Sequence, residues 1–144
     1  MGRLVAIATA VVLLGCAGDS TAPPPFPSVA GTYRIDIAFS GLPSSVANGS
    51  GTISIVQASR NAPDLAGSAN VTVLIGGQSV VLTRLTSASV TEGGAIRFQL
   101  PPLNTTSVWG FDGTVTAGGA QMSGTHLLLA TSSSSSGTWT ATRQ

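Results

Sequence analysis

Residues 31–39 read Gly-Thr-Tyr-Arg-Ile-Asp-Ile-Ala-Phe, and this stretch decides the fold. Its large apolar residues Tyr33, Ile35, Ile37 and Phe39 occur at every second position, with Thr32, Arg34 and Asp36 between them. In an extended chain successive side chains point to opposite faces, so the stretch predicts a strand with one buried and one wet face.

Working outward, the same period recurs. Gly51, Ile53 and Ile55 alternate with Thr52 and Ser54, and Gly67, Ala69, Val71, Val73 and Ile75 with Ser68, Asn70 and Thr72. Gly76-Gly77 is a two-residue hairpin signal, because both positions tolerate positive φ. Gln78 to Val90 reads as one strand with its alternation disturbed around Arg84, where a bulge restores register. Glu92-Gly93-Gly94 turns the chain into Ile96, Phe98 and Leu100, and Pro101-Pro102 stops that strand. Ser107 to Thr116 places Trp109, Phe111, Gly113 and Val115 on one face. Gly118-Gly119 is a further turn, Gln121 to Ala130 is a strand whose facing is ambiguous, and Ser132 to Ser136 reads as a flexible loop. Gly137 to Arg143 closes the chain with Trp139 and Ala141 inward.

Eight strands with mostly short connections, and no window of helical period, predict an all-β domain over residues 29–144. An antiparallel up-and-down barrel removes exposed edges, and a two-sheet sandwich is the alternative. A barrel crossing a membrane needs aromatic girdles at both interfaces, which seven aromatic residues in 144 do not supply. Six strands carry a Gly-Thr or Gly-Ser step: Gly31-Thr32, Gly51-Thr52, Gly67-Ser68, Gly113-Thr114, Gly124-Thr125 and Gly137-Thr138. Their irregular spacing excludes a solenoid repeat and predicts points where strands bend sharply or pass close to a neighbour.

The chain contains six arginines, five acidic residues and no lysine. From Cys16 onward the arginines and acids balance at five each and are scattered singly, which gives nothing to hold a phosphate backbone and sets nucleic-acid binding aside. Chemistry-bearing residues are equally sparse. His126 is the only histidine and has no cysteine or carboxylate at metal-ligand spacing, so no metal or other cofactor is implied. A Ser-His-Asp arrangement could draw on His126 and Asp112, but the Gly-x-Ser-x-Gly elbow is absent. Asp36 and Asp112 could pair as acid and base, although Arg34 sits on the same face as Asp36. The expectation is a protein without catalytic residues. What remains is the inward set, in which Tyr33, Phe39, Phe98, Trp109, Phe111 and Trp139 are the candidate lining of a ligand pocket. Such an interior is either filled by its own side chains or holds one small guest, and the many inward glycines and alanines favour space for an apolar one.

The amino terminus carries a separate signal. Arg3 precedes the apolar run Leu4 to Leu14, which has the character of a secretory signal and is too short to span a bilayer permanently. The next residues, Leu13-Leu14-Gly15-Cys16, resemble the lipobox of bacterial lipoproteins, with Leu14 in place of the small residue commonest there. That resemblance implies a cleaved helical signal segment over residues 1–15 and a mature chain beginning at a lipidated Cys16. Two or three acyl chains on one residue hold a protein at a membrane essentially permanently. Residues 16–28 then form the anchor and a linker with four prolines, Pro23, Pro24, Pro25 and Pro27, which favours an extended spacer. Ala17 lacks the aspartate that resembles an inner-membrane retention signal, which implies the outer membrane of a two-membrane envelope. With no second cysteine, the exported domain relies on its core alone.

Gly31-Thr32-Tyr33 also resembles the Gly-x-Trp of the first lipocalin strand, with tyrosine for tryptophan. Arg143, following Trp139 on the last strand, sits where that family packs an arginine across the first-strand aromatic. The segment HLLLATSSSSSGTWTATR, residues 126–143, is similar to the avidins, though no biotin-binding set carries over. These likenesses to the calycin group imply an eight-stranded barrel pinned shut by Tyr33 and Arg143, and a small hydrophobic ligand. The expected function is a lipid-anchored envelope protein with a non-catalytic binding barrel. The alternative is a structural or interaction lipoprotein, an assembly factor or inhibitor, with a filled core and protein-binding loops.

Overall fold

The structure is a computed structural model that describes residues 26–60, 62–102, 107–130 and 133–144. It contains nine strands: β1 Gly31–Phe39, β2 Ala47–Gln57, β3 Asp64–Ile75, β4 Gln78–Arg84, β5 Thr86–Val90, β6 Ala95–Gln99, β7 Val108–Val115, β8 Gln121–Ala130 and β9 Ser133–Arg143. A single turn of 3-10 helix, Ala117–Gly119, separates β7 from β8. Every pairing is antiparallel. The ring runs β1–β2–β3–β5–β6–β7–β8–β9 and returns to β1, so the first and last strands close it. β4 is an extra strand, paired to β3 beside β5. This is a closed eight-stranded barrel, not a two-sheet sandwich.

β1 behaves as its pattern dictates: Tyr33, Ile35, Ile37 and Phe39 are buried and the residues between them exposed. The strand expected over Gln78 to Val90 is instead two. Leu82, Leu85, Ala88 and Val90 all point inward, and that set cannot keep a period of two without a break. The break falls at Leu85 to Ser87, where Ser87 adopts a positive φ of 48° and the pairing with β6 shifts register.

The serine run is also corrected. Ser133–Ser136 belong to β9 and pair with Leu127 to Ala130 of β8, so most of the expected loop is strand. Small polar residues are poor strand formers by themselves, but here a long neighbouring strand offers them a complete hydrogen-bond ladder. β2 likewise starts at Ala47, four residues before the alternation that begins at Gly51. The signal and lipidation residues Leu13, Leu14, Gly15 and Cys16 lie outside the described residues.

Five of the six Gly-Thr or Gly-Ser steps mark close approaches. At Gly51, Gly67, Gly113, Gly124 and Gly137 a Cβ would fall 1.9 to 2.3 Å from a carbonyl oxygen of the adjacent strand, a space no side chain can share. The glycines let the strands coil tightly enough to close a small barrel.

The connections sort into two ends. The β2–β3, β5–β6 and β7–β8 connections lie with the start of β1 and the end of β9. The β1–β2, β3–β4, β6–β7 and β8–β9 connections lie at the opposite, far end. Residues 26–30 strap the first end. Val29 is fully buried, Phe26 packs against the core, and the Val29 amide donates to Gln57 Oε1 at 3.2 Å. The nine strands close on themselves around one core, to which the strap adds Val29 and Phe26, so strap and barrel pack as one unit.

Candidate ligand site at the far end of the barrel

The inward side chains form rows across the wall, and the rows show what each candidate residue does. At the capped end Tyr33 is fully buried. Its hydroxyl lies 3.0 Å from the Val29 carbonyl and 2.9 Å from the Gly119 carbonyl, and accepts from Arg143 Nη2 at 2.8 Å. The Arg143 guanidinium carbon sits 5.3 Å from the centre of the Tyr33 ring, and Nη2 also donates to the Ser28 and Ala30 carbonyls at 3.0 and 3.1 Å. Strap, first strand, last strand and the 3-10 turn therefore meet at one cation and one phenol. Tyr33 closes this end and stands apart from the other candidate lining residues.

The middle of the barrel is occupied. One row places Ile96, Gly113, Gly124, Trp139, Ile37, Gly49 and Val73 side by side. The Trp139 indole covers the wall of β7 and β8, where a Cβ on Gly113 would come within 2.8 Å of its Cζ2. Its N–H donates to the Asp112 and Thr125 carbonyls at 3.2 and 3.1 Å. Phe98 and Phe111 stack with centroids 4.9 Å apart, and Trp139 meets Phe98 edge-on at 5.1 Å. Of the inward glycines of this row, Gly113 is a seat for Trp139, Gly49 is covered by Ile37 and Val73, and Gly124 lies against the backbone of β7, so none is the spare volume that small residues suggested.

The next row toward the far end runs Phe98, Phe111, His126, Gly137 and Phe39. Trp109 stands one row further out, across from Leu128. Sequence reading found the aromatics here but not His126, which three consecutive leucines, Leu127 to Leu129, conceal by breaking the alternation. His126 is buried with only 2% of its surface exposed. The Trp109 indole N–H donates to its Nδ1 at 3.2 Å, so Nε2 carries the proton and donates to the Ala38 carbonyl at 3.0 Å. Phe39 meets the imidazole edge-on at 4.9 Å. Burial pushes His126 below its ordinary pKa of 6.5, against the opposing pull of the Ala38 carbonyl. The ring is held neutral, with both nitrogens engaged inside an aromatic box.

On the outer wall, Arg34 pairs with Asp36 at 3.5 Å and Arg97 with Asp112. Asp36 and Asp112 stand on β1 and β7 with β9 and β8 between them, on the order of 14 Å apart at ordinary strand spacing. They cannot share a proton. Among the described residues no three His, Cys, Asp or Glu side chains gather as a metal site would require. Because Gly137 has no side chain, His126 forms part of the floor of a shallow outer groove with Ser40, Thr125 and Ser136.

The rim of the far end differs from the rest of the surface. Seven of the eight exposed large apolar side chains among the described residues lie within four residues of a far-end connection: Leu42, Val46, Val80, Val81, Val108, Leu127 and Leu129. Loop and hairpin are tied together there, the Gly76 amide donating to the Val46 carbonyl at 3.1 Å. The connecting stretches 40–46, 76–77, 100–107 and 131–132 include no charged residue, while Arg97 and Asp36 stand three and four residues before the first residue of theirs.

No family model matches the chain, and no curated protein matches it in sequence. Among solved structures it is similar to one titled "Structure of EF1p2_mFAP2b bound to DFHBI", with a TM-score of 0.58 and 11% identity. The match covers 81% of this chain and 94% of that one. At that identity the likeness is one of fold.

Proposed function

We propose that this chain is a lipid-anchored cell-envelope protein whose barrel takes a small apolar ligand at its far end, without catalysing a reaction. The observation that carries the reading is the box of Phe39, Trp109, Phe111 and His126 lying beneath an uncharged, apolar rim. An apolar cluster with one fixed polar group is the usual composition of a small-molecule site. A chain of similar fold having been solved with DFHBI bound, according to its title, agrees with a barrel of this kind receiving a guest. The non-catalytic part of the reading is supported by the engagement of both His126 nitrogens, Asp36 and Asp112 with partners in the fold.

The anchor rests on the likeness of Leu13-Leu14-Gly15-Cys16 to a lipobox, with the outer membrane as the site. A specific observation favours a second reading. Trp139, Phe98 and Phe111 fill the middle of the barrel, as in a structural or interaction module that works through its loops.

Titrating the protein with oleate while following tryptophan emission separates the two. Saturable quenching, at least halved in Trp109→Phe, is expected for the ligand reading, whereas a flat response supports the interaction module. For the anchor, radiolabelled palmitate is expected on the wild type and absent from Cys16→Ser. Equal labelling of both would overturn lipidation at Cys16.

A further inference from the structure

We propose that Ser135 is the specificity-determining residue of the far-end site, its hydroxyl binding an uncharged oxygen, a hydroxyl or carbonyl, on an otherwise apolar guest. This role deepens the ligand reading and rests on it. The other polar side chains that point into the barrel are satisfied. The Tyr33 hydroxyl, the Trp109 and Trp139 indoles and both nitrogens of His126 all have partners in the fold. The Ser135 hydroxyl is closed to solvent and has none. A hydroxyl can donate one hydrogen bond and accept two, and folded proteins seldom bury one with every bond unmade. Of the described residues, only Arg143 also buries an unpartnered side-chain atom, its Nε, and that guanidinium is already held at the capped end through Nη2.

β9 turns Ser135 inward, on the same face as Gly137, Trp139 and Ala141 and between the exposed Ser134 and Ser136. In the register it stands across from Leu128, which stands across from Trp109, so the three make one inward row. Two strand spacings, about 10 Å, separate the Ser135 and Trp109 backbones. Gly137, two residues further along β9, lies against His126, where a Cβ would come within 2.6 Å of Nε2. Among the described residues, Ser135 is therefore the one inward polar side chain beside the box of Phe39, Trp109 and His126 with hydrogen bonds still to make. Charge decides what it can hold. Arg34, Asp36, Arg84, Arg97 and Asp112 are exposed on the outer wall, and His126 is neutral inside it. A carboxylate or ammonium drawn into this interior would meet no opposite charge to offset its lost hydration. A neutral hydroxyl or carbonyl loses far less. Because the Ser135 hydroxyl is closed to solvent, a guest reaches it as the side chains over it part, and the bond it then makes is new to the fold and not exchanged for one with water.

The test is titration of the protein at pH 7.5 with 1-decanol, decanoate and decane, followed by tryptophan emission. Decanol is expected to bind about fivefold or more tighter than decanoate. Ser135→Ala is expected to weaken decanol by about fivefold and to leave decane within about twofold, while the outward-facing Ser134→Ala changes neither. Since the Ser135 hydroxyl has no partner to lose, its removal is also expected to leave the urea midpoint unchanged or raised. Decanoate binding as tightly as decanol, decanol unaffected by Ser135→Ala, or equal loss of decanol and decane would overturn the proposal and leave the ligand reading standing. A lowered urea midpoint in Ser135→Ala would show that the fold already uses the hydroxyl, and would overturn it too. Saturable quenching by none of the three, nor by oleate, would overturn both.

Discussion

Three single residues do disproportionate work. Trp139 lies over Gly113 and pairs in register with Gly124; a methyl group at either glycine collides with a carbonyl of the neighbouring strand and, at Gly113, with the indole as well. Gly113→Ala is expected to destabilise by about 1–3 kcal/mol or more, the usual range for overpacking, read as a lower urea midpoint. Tyr33→Phe removes the hydroxyl that accepts from Arg143 and bonds the strap, stranding buried polar partners at an expected cost of about 1–3 kcal/mol. His126 makes stability pH-dependent with a definite sign. The fold holds the ring neutral and lowers its pKa, so the unfolded chain takes up the proton first. Stability is full above 6.5 and declines as pH falls below it, until the lower pKa of the folded state is reached. Urea midpoints at pH 7.5 and 5.5 should therefore differ in the wild type, and converge in His126→Gln.

At the level of the elements, legibility followed side-chain contrast. β1 alternates large apolar against polar residues, and its facing could be read directly. β8 could not be faced because Leu127, Leu128 and Leu129 are alike in polarity, although only Leu128 turns inward. Ser133 to Ser136 carried no contrast at all, and only the ladder to β8 makes them strand. The break between β4 and β5 was felt as a disturbance near Arg84, but its form depends on the positive φ of Ser87, which composition does not reveal. The strap was missed because Pro-rich sequence signals extension and says nothing of docking, yet Val29 is fully buried. Val29→Ala is accordingly expected to cost about 2 kcal/mol in chemical denaturation, as a core truncation would, whereas a linker residue would register nothing.

For the molecule as a whole, the organising feature is polarity along the barrel axis. One end is sealed by Tyr33, Arg143 and the strap and bears charge, while the other is uncharged, apolar and built over Trp109 and His126. The candidate pocket residues named from sequence are distributed along this axis and not gathered in one place: Tyr33 seals, Trp139, Phe98 and Phe111 fill, and Phe39 and Trp109 remain near the far end. Alternation shows which residues face inward; only the strand register shows at what depth. The account's central claim is that an apolar guest enters at the uncharged end. Amide chemical shifts of the isotopically labelled barrel on adding oleate test this most directly. Saturable shifts at Phe39, Trp109, His126 and Leu128, with Tyr33 and Arg143 unmoved, are the result expected; no saturable shifts, or shifts gathered around Tyr33 and Arg143, would contradict it.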